Sequence, residues 1–194
     1  MKAIVVGVVV IASAAGATYY LDERFEGTPF PPPGWGSSSS GHGSWTRTAG
    51  GPWGYFAQVN IFGGGSYNGW ATLQTGDLYI PQGKTIYYRF NYRGEGNAYA
   101  IGVQGYFYIY YSGTTTTVVS TTLGSGFNGD WHEANGTGTI SQALPVVTYW
   151  RLTASSYNMH GGGGWMSIDN CQISDEVMTV VGPASFGRVK AIYR

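Results

Sequence analysis

Between Thr85 and Arg93 the chain alternates strictly. Ile86, Tyr88, Phe90 and Tyr92 fall on one side of an extended segment, and Thr85, Tyr87, Arg89, Asn91 and Arg93 fall on the other. A period of two, with one apolar and one wet face, is the signature of a half-buried β-strand. Extended segments of similar character occur at Gly54–Ile61, Gly69–Leu73, Ala98–Val103, Tyr106–Ser112, Thr116–Leu123, Thr148–Ala154 and Trp165–Ile173. Turn residues separate them: Pro31-Pro32-Pro33-Gly34, Ser37–Gly43, Gly63-Gly64-Gly65, Pro81-Gln82-Gly83, Gly124–Gly129 and Gly161–Gly164. After the first seventeen residues no apolar spacing holds a helical period for three turns. Short strands at this spacing without intervening helices predict an all-β chain of two antiparallel sheets, a sandwich or a barrel.

The amino end reads differently. Met1-Lys2 precedes an apolar run from Ala3 to Ala12 and the small residues Ser13 to Ala17, the three regions of a secretory leader with Ala15-Gly16-Ala17 before the expected cut. The remaining 18–176 is expected to form one domain, and the 194 residues leave no room for a second of ordinary size. Residues 177–194 form a tail in which Gly182-Pro183 breaks the chain and Arg188, Lys190 and Arg194 stand among apolar residues. The tail suits a sorting element, an edge strand or a frayed end equally well.

Charge removes one class of function. Lys and Arg total 10, Asp and Glu total 10, and no basic stripe exists to hold nucleic acid. Aromatic residues make up 16% of the chain, enough to supply a core and to argue against disorder. Cys171, the single cysteine, is expected to be a small buried apolar residue, so an exported chain must do without an internal disulfide.

Four blocks then carry a resemblance. They are Phe25-Glu26-Gly27 with Phe30-Pro31-Pro32-Pro33-Gly34-Trp35, the run Gly69–Pro81 with the strand after it, Ile109-Tyr110-Tyr111-Ser112, and Trp165-Met166-Ser167-Ile168-Asp169-Asn170. In this order they resemble the cleaved-adhesin and choice-of-anchor J family of bacterial surface domains over roughly Tyr19 to Ser174. The resemblance implies a jelly-roll β-sandwich related to MAM-type and carbohydrate-binding sandwiches, a non-catalytic role in a secreted or surface protein, and structural calcium in several members. Two departures stand out. Ser37–Gly43 replaces an acidic stretch, which weakens the case for calcium, and Thr75-Gly76 replaces the usual Thr-Pro.

Several residues carry candidate chemistry. If Phe107, Ile109 and Tyr111 face the core, Tyr106, Tyr108 and Tyr110 form a ladder on the other face, and Tyr87 and Arg89 on a neighbouring strand also point outward. Phenol rings beside a guanidinium suit the stacking of a glycan or the docking of a surface protein; ordinary cross-strand pairing is the alternative. Glu26 and Asp169 are candidate calcium ligands, placed on the first and last strands, with Asp169 sharing a face with Cys171 and Ile173. Asp130-Trp131-His132-Glu133 is the tightest titratable cluster and the one place a polysaccharide hydrolase would start, although it reads as a solvated loop. His42 and His160 sit beside glycines with nothing to orient them. Thr114–Thr122 would offer an edge for self-association in a structural subunit.

Overall fold

A computed structural model describes residues 17–40, 43–63, 68–96, 100–125, 129–156 and 162–178. Residues 1–16 of the expected leader, residues 179–194 of the tail, His42 and His160 lie outside them. Eleven strands and no helix occur among the described residues: β1 (Tyr19–Glu23), β2 (Gly36–Ser39), β3 (Gly43–Gly51), β4 (Gly54–Gly63), β5 (Asn68–Gln74), β6 (Thr85–Gly96), β7 (Ala100–Tyr111), β8 (Thr117–Ser125), β9 (His132–Thr139), β10 (Val146–Ser156) and β11 (Gly162–Ser174).

They form a two-sheet antiparallel jelly-roll sandwich. The first sheet runs β3-β4-β11-β6-β9, with β1 also paired to β11, and the second runs β2-β5-β10-β7-β8. Alternating residues of both sheets meet between them. Ile86, Tyr88 and Phe90 of β6 face Phe107 and Ile109 of β7 and Trp150 and Leu152 of β10 in one buried cluster. Its centre is aromatic: Phe90 lies 4.6 Å from Phe107, Phe107 lies 5.2 Å from Trp150, and Trp35 stacks on Trp150 at 5.7 Å. Rings of this size bury more area than any aliphatic residue and hold one another in tilted or edge contacts, so a core with few leucines is still dense.

The predicted strands are present, with different ends. Ala98–Val103 and Tyr106–Ser112 are not two strands; β7 runs unbroken from Ala100 to Tyr111. Part of the expected loop Ser37–Gly43 is β2, bound to β5, and most of Gly161–Gly164 is the start of β11. The Asp130–Glu133 stretch also departs from a loop, because His132 and Glu133 open β9. Its inward positions are Ala134, Gly136 and Gly138, and a Cβ on Gly136 would stand 2.6 Å from the hydroxyl and 2.8 Å from Cζ of Tyr88 on the paired strand. Bulk from β6 fills the space that β9 leaves empty.

Strand β11 changes neighbours halfway. Gly162–Ile168 pairs with β4, and Cys171–Ser174 pairs with β1. Between them the register with β6 shifts across Asp169 to Gln172, and Asn170 adopts a φ of 50°. An extra residue of this kind is a β-bulge, and it breaks alternation. Ile168 and Cys171, three apart, are both in the core, so the shared face expected for Asp169, Cys171 and Ile173 does not follow from period two. Cys171 is a free, fully buried thiol, and burial, with the charges of Asp169 and Glu23, pushes its pKa well up.

Candidate functional site

The outer face of the second sheet carries the tyrosine ladder and more. Strand β10 lies between β5 and β7, which puts Tyr149 opposite Tyr108 and Arg151 opposite Tyr106 and Thr72. Tyr108 stacks on Tyr149 with centroids 4.7 Å apart, Tyr110 meets Tyr149 edge-on at 5.1 Å, and Tyr106 stacks on Tyr108 at 5.9 Å. On the other side the Arg151 guanidinium sits 5.0 Å from the Trp70 ring of β5. Tyr108, Tyr110, Tyr149, Trp70 and Arg151 line a groove of about 450 Å³ whose walls include Ser38, Thr72, Gln74, Thr114, Thr115 and Thr117. Tyr108, Tyr110 and Tyr149 are half-buried, neither lost in the core nor free of it.

Burial raises the pKa of all three phenols; in Tyr149 the neighbouring Tyr108 and Tyr110 add to the rise and Arg151 opposes it. Each therefore keeps its proton at neutral pH and offers both a donor and an acceptor beside an apolar ring. Tyr106 stands at the margin: it stacks on Tyr108, its hydroxyl donates to Gln104 Oε1, and it is absent from the lining of the groove.

Tyr87 and Arg89 do not join this site. They lie on β6, in the first sheet, on the opposite outer surface of the sandwich. Arg89 Nε donates to Glu133 Oε2 at 3.0 Å, and Asn135 Nδ2 donates to the other oxygen of Glu133 at 3.0 Å. The candidate hydrolytic stretch is thus engaged in local structure. Trp131 packs edge-on against Trp53 and Phe56, the Arg93 guanidinium lies 4.7 Å over Trp131, and His132 lies against Tyr92.

Glu26 and Asp169 behave differently from each other. Glu26 lies beyond the end of β1, is exposed, and accepts the Tyr55 N–H at 3.0 Å. Asp169 is fully buried; its Oδ1 accepts the Asn170 N–H at 2.7 Å and its Oδ2 has no hydrogen-bond partner. Burial raises its pKa from 3.8 to about 7; the Asn170 hydrogen bond and Arg24 oppose the rise, and the charges of Glu26 and Glu23 add to it. A buried carboxylate oxygen without a partner fits a hard cation. The surrounding donors are sparse: the Phe25 and Glu26 carbonyls accept from Arg47 at 2.6 Å each, and among the described residues no three His, Cys, Asp or Glu side chains group as metal ligands.

Sequence reasoning missed Tyr149, Arg151 and Trp70. The alternation of Tyr149 and Arg151 with Trp150 and Leu152 was the available signal, but nothing local says that β10 pairs with β7 across some forty residues and with β5 across some eighty.

No family model and no curated protein matches the chain. Solved structures do. The K3 cleaved adhesin domain of Lys-gingipain from Porphyromonas gingivalis aligns at a TM-score of 0.53 and 18% identity, over 82% of this chain and 99% of that domain. TmCBM61, solved in complex with β-1,4-galactotriose, aligns at 0.52 and 16% identity, over 80% and 97%. The CBM22-1 xylan-binding domain of Xyn10C from Paenibacillus barcinonensis aligns at 0.51 and 14% identity, over 86% and 100%. The chain shares the β-sandwich fold of these carbohydrate-binding and adhesin domains.

Proposed function

We propose that this chain is a non-catalytic module that binds a glycan outside the cell through the groove on its second sheet. The observation that carries the reading is the cluster of Tyr108, Tyr110 and Tyr149 rings facing Trp70 and Arg151 across a groove open to solvent. Sugar rings present apolar faces edged by hydroxyls, and half-buried phenols answer both needs at little entropy cost. The likeness to domains solved as xylan-binding and galactotriose-bound supports the same reading.

A glycan array probed with the protein in calcium and in EDTA tests it. Reproducible hits are expected; a blank array would move the assignment to a surface-protein partner, or to self-association through β8, an edge strand of the second sheet. We also propose structural calcium at Asp169 Oδ2, with backbone and water oxygens completing the shell and Glu26 contributing charge.

A further inference from the structure

The groove lining contains one charged side chain, Arg151, and no carboxylate among the described residues pairs with it. Arg151 comes from the central strand of the second sheet and is half-buried. Its Nε is buried and has no hydrogen-bond partner. Arg24 pairs with Asp22, Lys84 with Asp175 and Arg89 with Glu133, all away from the groove, whose lining contains no carboxylate. Other guanidiniums are engaged differently: Arg47 donates to two backbone carbonyls, and Arg93 is boxed by Phe56, Trp131 and Trp165 on the opposite surface.

A buried Nε–H without an acceptor is costly, because that donor has lost water and gained no partner. The Trp70 face at 5.0 Å offsets part of that cost but accepts no in-plane N–H. An anion with two oxygens in reach does both, since carboxylate and sulfate oxygens alike match the guanidinium fork. We propose that the groove selects anionic glycans, in which a sugar ring lies on Tyr108 and Tyr149 while a uronate carboxylate or sulfate ester pairs with Arg151. This deepens the glycan-binding reading and rests on it.

The test uses wild-type protein on an array of neutral, uronate-bearing and sulfated glycans, followed by titration of each hit against its neutralised partner. Carboxyl groups are reduced to alcohols in one arm and sulfates removed in the other, which tells the two anion sources apart. Anionic hits are expected to weaken about tenfold or more on neutralisation and to weaken further as salt rises. Arg151→Gln is expected to lose the preference for the anionic form and Arg151→Lys to keep part of it, with folding checked by circular dichroism. Hits that bind equally well after neutralisation would overturn the anionic preference and leave the glycan reading standing. An array blank for neutral and anionic glycans alike would overturn both.

Discussion

Replacing Asp169 by Asn isolates what a buried, half-partnered carboxyl costs this fold. The native carboxyl holds its proton to about pH 7, whereas the unfolded chain releases it near 3.8. Between those values the native state binds more protons at this carboxyl than the unfolded state, so the contribution of Asp169 to stability is greatest at low pH and falls as pH rises through the window. A raised pKa of this size corresponds to an upper bound of about 4 kcal/mol, of which about 2–3 kcal/mol accrues between pH 5 and pH 8. Asn cannot ionise, and its side-chain oxygen still accepts the Asn170 N–H. Its amide nitrogen lands where Oδ2 has no partner, a cost of about 1–3 kcal/mol that is the same at every pH and cancels in the comparison. Urea unfolding of both proteins in EDTA, at pH 5 and pH 8, gives the difference directly. Asp169→Asn should gain about 2–3 kcal/mol on wild type between the two pH values, and a gap that moves by less than about 1 kcal/mol would refute the buried-carboxyl account.

Three further outcomes follow from the packing. Thr75 Oγ1 accepts the Thr148 N–H at 2.9 Å in a buried position, so the near-isosteric Thr75→Val should cost about 1–3 kcal/mol in urea unfolding by orphaning that donor. Gly136→Ala places a methyl against the Tyr88 ring, whose hydroxyl is held by Thr121 at 3.1 Å, and should cost about 1–3 kcal/mol by overpacking, with Tyr88→Phe restoring part of it. Millimolar calcium should raise the melting temperature of wild type above its value in EDTA and leave Asp169→Asn unmoved; identical melts of the wild type would remove the proposed ion.

Much of the sandwich is written in the sequence wherever the inward residues are large. Thr85–Arg93 announces itself because Ile86, Tyr88 and Phe90 are bulky and regularly spaced. Strand β9 is silent for the complementary reason. Its inward residues shrink to alanine and glycine because Tyr88 and the β8 valines already occupy the space, so no apolar alternation remains to be read. Half of the groove was legible in the same way, since Tyr108 and Tyr110 alternate within one strand. Tyr149, Arg151 and Trp70 reach it through pairings between distant strands, and Arg89 misses it because β6 belongs to the other sheet. The face of Asp169 was misread because one residue in a left-handed conformation, Asn170, resets the parity of β11.

The proposed binding belongs to one face of the sandwich. Isothermal titration of an array hit with wild type, Tyr149→Ala and Tyr87→Ala compares the groove with the opposite surface in a single experiment. Tyr149→Ala should lose binding by tenfold or more, as truncation of an aromatic anchor worth about 2 kcal/mol implies, while Tyr87→Ala binds as wild type does. Retained binding in Tyr149→Ala, or its loss in Tyr87→Ala alone, would contradict the account.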